Sequence, residues 1–257
     1  MKKALLLLAM LSLISMFSVN AQIRYYYDPF VNGDKSIGLE AGLGGWFGSA
    51  NSLIIDNSYG GSPYTGYTAD KLKRSPLNPS FAFIYKRVLE GNTISWGNTF
   101  KVALNMWHGT VEGSSTTNPA NTFSTDFNYK TVELSQLYYA MIPIGDQFYI
   151  NAGFGLSLGA NLTPKSTITF SNGTEPVETE GGTDFMDMMI CTIDFIVGAD
   201  YRINDALTLS CNLTGHPIDF FGIFDEEGTK GMRGVGQGLY VSKKFPYHLT
   251  LGITYSL

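Results

Sequence analysis

The sequence predicts an all-β chain: an antiparallel up-and-down transmembrane β-barrel of eight strands, with ten strands as the alternative. Three observations carry that expectation. First, apolar residues alternate over long stretches. In QFYINAGFGLSLGANLT, residues 147–163, the residues Phe148, Ile150, Ala152, Phe154, Leu156, Leu158, Ala160 and Leu162 share one face. A globular strand averages about five or six residues, so a stripe this long faces something about 25 to 30 Å tall. Second, the opposite face is Tyr149, Asn151, Gly153, Gly155, Ser157, Gly159 and Asn161. Small uncharged residues fit the interior of a narrow barrel, whereas a water-facing surface carries Lys and Glu. Third, short turns at Glu90–Asn92, Pro143–Asp146 and Ile203–Asp205 alternate with long polar stretches at 49–76, 109–124 and 164–183. Short turns on one side of a membrane and long loops on the other are the connectivity of an outer-membrane barrel.

The start of the chain agrees. Residues 1–21, MKKALLLLAMLSLISMFSVNA, hold Lys2 and Lys3, an apolar run from Ala4, and Val19 and Ala21 at the small-residue positions of a signal-peptidase site. Cleavage before Gln22 is expected, leaving 22–257 as the barrel domain. No cysteine follows the apolar run to carry a lipid, and past residue 21 no apolar run reaches 18 residues, which excludes a helical span. Export without a helical anchor leaves periplasm, outer membrane or medium, and the barrel pattern selects the cell outer membrane. A content of 29 Gly, 15 Tyr and 17 Phe with only 15% charged residues suits a barrel with aromatic girdles. The formal net charge of −5 gives no footprint for nucleic acid. Cys191 and Cys211 lie on strands joined by a tight turn at Asn204. That turn sets Cys191 about 20 Å from Cys211 at strand rise, so no disulfide is expected.

Taken in order, Ile23–Phe30 is aromatic-rich and short, a periplasmic leader or an interfacial segment. The first strand spans Ser36–Gly48, with Ile37, Leu39, Ala41, Leu43 and Phe47 on one face and Glu40 on the other. Residues 49–76 form a long loop without period. The second strand, Leu77–Leu89, leaves a cation on the lipid side near its end in either parity, where it snorkels. In the third, Thr93–His108, the residues Ile94, Trp96, Phe100, Val102, Leu104 and Met106 point outward and Lys101 inward. The fourth, Thr125–Ile142, turns Val132, Leu134, Tyr138, Ala140 and Ile142 outward and Glu133 inward. The strand at 147–163 is fifth. The sixth, Asp184–Arg202, has Phe185, Met189, Cys191, Ile193, Phe195, Val197, Ala199 and Tyr201 outward and Asp194 inward, and the seventh begins with Leu207, Leu209, Cys211 and Leu213 outward.

The end of the chain supports two parses. In one, 216–234 is a fourth long loop and a single last strand runs from near Val235 to Leu257. In the other, Ile218–Phe224 and Gly231–Lys243 make an extra hairpin. Pro246 counts against the first, since a closed barrel has no edge to hold a proline. The seven-residue strand of the second is short for a membrane. Eight strands is preferred; both parses give the even number bacterial barrels require.

On the Asn20-Ala21-Gln22 region, the turns PIGDQFY and YRINDALTL, and the terminal LTLGITYSL, the chain resembles the small outer-membrane β-barrel domain proteins of Bacteroidetes type. The resemblance spans nearly the whole chain, and its motifs specify architecture alone. It implies recognition of the alternating C-terminus by the barrel-assembly machinery, although Leu257 stands where an aromatic is more usual.

An eight-stranded barrel leaves an interior that side chains fill. Parity sends Glu40, Lys101, Glu133 and Asp194 into it, and buried charges must pair or be hydrogen-bonded. A lumen charge network that blocks conduction is therefore expected, with a proton or ion path as the alternative. Enzymatic chemistry has little support. His108, at the outer end of its strand, is followed by Gly109 and Thr110 where a lipid deacylase has serine. His216-Pro-Ile-Asp219 resembles the His-Asp pair of outer-membrane aspartyl-type proteases but lacks paired carboxylates. No GxSxG, HExxH, phosphate loop or Cys/His metal spacing occurs, and no cofactor or metal is expected.

The expected role is non-enzymatic: envelope structure or surface interaction through loops carrying Tyr59, Tyr64, Tyr67, Phe123 and Phe170. A narrow channel or route for small or apolar molecules, and a lipid-modifying enzyme, are the alternatives. The partners expected are outer-membrane lipid and lipopolysaccharide around a monomer, with a surface ligand the sequence leaves unnamed. The facing assignment also makes Leu156→Arg costly and Ser157→Thr mild.

Overall fold

The structure, a computed structural model, describes residues 33–47, 67–74, 78–91, 93–162, 165–173, 175–180, 189–219 and 245–257. Among these residues the strands are β1 (Asp34–Phe47), β2 (Tyr67–Arg74), β3 (Pro79–Leu89), β4 (Ser95–Ser115), β5 (Thr122–Ile144), β6 (Phe148–Asn161), β7 (Lys165–Phe170), β8 (Val177–Glu180), β9 (Met189–Arg202), β10 (Leu207–Asp219) and β11 (Phe245–Ser256). Eight of them close a ring in the order β1-β3-β4-β5-β6-β9-β10-β11, every pair antiparallel. The last strand returns to the first in unbroken register, from Ser36 opposite Ser256 to Phe47 opposite Phe245. The barrel is therefore up-and-down and eight-stranded. Since β10 pairs directly with β11, no hairpin intervenes in the ring. The alternative hairpin's residues beyond Asp219, the strand start at Val235, residues 1–21 and Ile23–Phe30 lie outside the described residues.

Pro246 is accommodated because one of its ladders has already ended. It pairs with Trp46 on the β1 side, while on the other side pairing stops at Tyr247 opposite Gly215. On its other side β10 slips register against β9 between Gly215 and Ile218, the stretch that holds Pro217 and tolerates its missing N–H. The short turns have local causes. Gly145 takes φ +74 in the turn between β5 and β6, a conformation glycine adopts without steric cost. Between β9 and β10, Asn204 Oδ1 accepts from the backbone N–H of Ala206 and Leu207, each at 2.9 Å.

Outward residues form the apolar belt read from the sequence. Phe154 and Leu251 are each 67% exposed, and Leu39, Phe81, Trp96, Leu156 and Val197 join them. Such a surface on a closed barrel suits hydrocarbon and is rare against water. On β3 the facing is settled by register: Ile84 stands opposite Lys101, so Ala82, Ile84 and Lys86 point in and Phe81, Phe83, Tyr85 and Arg87 point out. Arg87 is the cation near the strand end, with Nε 2.8 Å from the Tyr85 hydroxyl. Cys191, of outward parity, is buried, Cys211 is exposed, and no disulfide joins them.

The long polar stretches are not loops throughout. Of 49–76, residues 67–74 are β2; the stretch 109–124 is largely the tops of β4 and β5; and 164–183 holds β7 and β8. Alternation there reverses its sense. Along β5 the outward side passes from Leu134 and Val132 to Lys130, Asn128 and Asp126, while the inward side passes from Glu133 and Thr131 to the buried Phe123. Along β4 the inward side changes from Lys101 and Asn105 to Trp107, which is 1% exposed. Within the belt, lipid requires apolar residues outside. Above it the same strands stand in water and bury their apolar side against the molecule.

Candidate functional site

All four expected lumen charges are buried: Glu40, Lys101, Glu133 and Asp194 are 7%, 6%, 2% and 0% exposed. Lys101 Nζ lies 2.7 Å from Glu40 Oε2. Glu40 also accepts from Asn212 Nδ2 at 3.2 Å and Thr250 Oγ1 at 3.4 Å. The other two acids do not join this pair. Glu133 accepts from Thr131 Oγ1 at 2.8 Å. Asp194 accepts from Thr192 Oγ1 at 2.6 Å and from the Ser157 hydroxyl, and its Oδ1 lies 2.8 Å from His216 Nδ1. The expected network is thus one ion pair and two separately bonded carboxylates.

Two further groups complete the filling. Toward the short-turn end Lys86 Nζ lies 2.5 Å from Asp200 Oδ2 and 5.6 Å from the centre of the Tyr139 ring, whose hydroxyl is 2.8 Å from Thr99 Oγ1. Leu137, Tyr139, Met141 and Ile196 form a buried apolar cluster beside it. Glycines admit the ring: a Cβ on Gly97 would collide with Tyr139, and one on Gly153 would meet its backbone and Cβ. Toward the other end, His216 Nε2 lies 3.1 Å from His248 Nδ1, and Trp107 packs against His248 with ring centres 4.8 Å apart and planes tilted by 58°.

The sequence reading missed Asp200, His216 and His248 as lumen residues, although the signal was there in their alternation with Tyr201, Leu213 and Leu249. Lys86 needed the register with β4. Two ammonium groups and two histidines thereby share the interior with four carboxylates, of which Glu40, Asp194 and Asp200 each lie against one of the basic groups.

Among the described residues, the enzyme-like pairings weighed from the sequence do not form. Ser157 donates to Asp194 rather than to an imidazole, so no base is placed to activate it. His108 has outward parity, and its backbone N–H bonds Asn78 Oδ1 at 3.0 Å. His216 engages Asp194 of the neighbouring strand β9. Two internal cavities of about 10 Å³ each are close to the least that admits one water.

Burial also revises the expectation for Ser157. Its Oγ lies 2.6 Å from Ser135 Oγ while bonding Asp194, at 0% exposure. Ser157→Thr adds a methyl to a filled interior and is expected to cost about 1 to 3 kcal/mol in urea unfolding from lipid vesicles. An unchanged midpoint would show that the packing there yields.

Above the belt, β4 and β5 are flanked by β2 on one side and by β7 then β8 on the other, a five-stranded sheet continuous with the barrel wall. Phe123 stands opposite Phe170, and Ile168, at 0% exposure, opposite Thr125. Asp126 Oδ1 accepts from Thr110 Oγ1 at 2.6 Å on the outer face.

No family model and no curated protein matches the chain. Among solved structures it is similar to Ail, the attachment invasion locus protein of Yersinia pestis, solved with the heparin analogue sucrose octasulfate: 8% identity over 87% of this chain and 99% of that one, TM-score 0.38. Neisserial surface protein A gives 10% identity, 87% and 97% coverage and TM-score 0.35. The N-terminal β-barrel domain of Pseudomonas aeruginosa OprF gives 10% identity, 88% and 100% coverage and TM-score 0.36. The eight-stranded barrel stands on its own closed strand pairing.

Proposed function

We propose that the chain is a non-enzymatic barrel of the cell outer membrane whose filled lumen serves as a rigid anchor and whose long-connection side carries the function, as a surface-interaction or envelope-structural protein. The observation that carries this reading is the pairing of a blocked interior with a built exterior. The lumen holds the Lys101–Glu40 and Lys86–Asp200 pairs and an apolar cluster, while β4 and β5 continue beyond the belt as the centre of a five-stranded sheet. Lipid of the outer membrane, lipopolysaccharide included, surrounds the belt, and the short turns face the periplasm. The alternating Leu249, Leu251, Ile253 and Tyr255 of β11 are the segment the barrel-assembly machinery reads.

Reconstitution into planar bilayers is expected to give no discrete conductance steps, with heat-dependent gel mobility reporting the folded barrel. Stepwise conductance would favour the narrow-channel reading instead. The surface role is tested by replacing residues 110–126 with a short turn. The barrel is expected to keep its gel shift while the nanodisc-held protein loses whatever signal the parent shows on arrays of glycans and matrix proteins. An unchanged pattern would move the function off the extension.

A further inference from the structure

On the belt's outward face one residue does not match its surroundings. Gln136 of β5 has outward parity, opposite Phe100 of β4 on one side and Leu156 of β6 on the other. Its strand neighbours on that face are Leu134 and Tyr138, and Leu134, Phe100 and Leu156 are 46%, 42% and 47% exposed. The outward apolar run of β5 extends from Val132 to Ile142, so Gln136 lies near mid-belt. Among the described residues no group bonds its side-chain amide. Asn98, the other amide of outward parity on this wall, is buried and bonds the Leu137 carbonyl at 3.2 Å.

An amide in hydrocarbon is penalised unless its two N–H donors and its carbonyl are bonded. Acyl chains supply neither donor nor acceptor. The headgroups are roughly 15 Å from mid-belt, beyond the snorkelling reach of a glutamine. We propose that the β5–β6 wall is a docking surface for a second copy of this chain, in a twofold pair whose Gln136 amides bond each other across the lipid-facing interface.

A carboxamide is self-complementary: each carbonyl accepts from the other's N–H, and a twofold axis brings a residue opposite itself. Among the described outward residues of β6 and of the Val132–Ile142 run of β5, Gln136 alone carries a carboxamide. The relief beside Gln136 allows contact, since Ala140 stands opposite Ala152 in a hollow next to the projecting ring of Phe154. The proposal departs from the monomer expected from the sequence. The inference rests on the belt facing lipid.

The test uses the full chain in lipid vesicles with its two cysteines replaced, Cys191→Ala and Cys211→Ser. Gln136→Cys is expected to crosslink under mild oxidation, while Leu251→Cys, on β11, is not. In energy-transfer dilution experiments with the otherwise unaltered chain, Gln136→Leu is expected to weaken association at least tenfold and Gln136→Asn to retain most of it. Heat-dependent gel mobility checks that each variant folds. A parent chain that stays monomeric at every protein-to-lipid ratio, crosslinking at Leu251→Cys equal to that at Gln136→Cys, or full association of Gln136→Leu would each overturn the proposal. A folded, inserted barrel that does not associate refutes the pair alone, whereas failure to insert refutes the membrane reading beneath it.

Discussion

Replacing Lys101 by methionine is expected to lower the unfolding free energy of the barrel in lipid vesicles by about 3 to 5 kcal/mol, the cost of leaving a buried carboxylate without its cation. Glu40 is 7% exposed, and after the substitution Asn212 and Thr250 are its remaining bonding partners. Neither carries charge, so the carboxylate must be protonated or pull water into a filled interior. The double variant Lys101→Met/Glu40→Gln is expected to recover most of the loss, because a neutral amide keeps the bonds to Asn212 and Thr250 without a buried charge. Urea titrations followed by tryptophan fluorescence read both effects. Equal losses in the single and double variants would mean that the lysine acts through packing.

The second large effect is on the other face. Leu156→Arg is expected to cost about 2 to 4 kcal/mol, the depth-dependent penalty for a cation at the midplane of a barrel's lipid side. Leu156 is 47% exposed on the outside of a closed ring, near the middle of β6, and stands opposite Gln136, in the middle of the apolar run of β5. The same unfolding assay measures it, and the substitution at Leu162, at the rim, serves as the control with a cost near 0 to 1 kcal/mol. If Leu156→Arg were tolerated as well as the rim change, the belt would not be facing hydrocarbon.

Much of this architecture was legible in the residues because the period of a strand is two and one side of the belt must be apolar. That constraint turned Trp96, Leu134, Phe154 and Leu209 outward and Glu40, Lys101, Glu133 and Asp194 inward before any fold was known. It failed where both faces are apolar, as in PSFAFIYKRVL, so Lys86 could not be assigned. It also failed where the solvent changes. Residues 109–124 look like loop because their outward side is polar and the strand merely inverts its faces on leaving the belt. The histidines were legible by parity, yet comparison with enzyme motifs directed attention along the chain, to Asp219 and Thr110, rather than across it.

The sequence by itself determined that the chain is a barrel, which residues of its clearly alternating strands face the interior and where its short turns fall, since these are local consequences of alternation and turn chemistry. Only the tertiary structure decided which interior groups meet. Lys101 and Glu40 are 61 positions apart and Lys86 and Asp200 are 114 apart. Parity gives a side chain its face but not its height or its position around the ring. Those depend on the stagger of eight paired strands, and that stagger joined Asp194 to His216 and left Glu133 with a threonine.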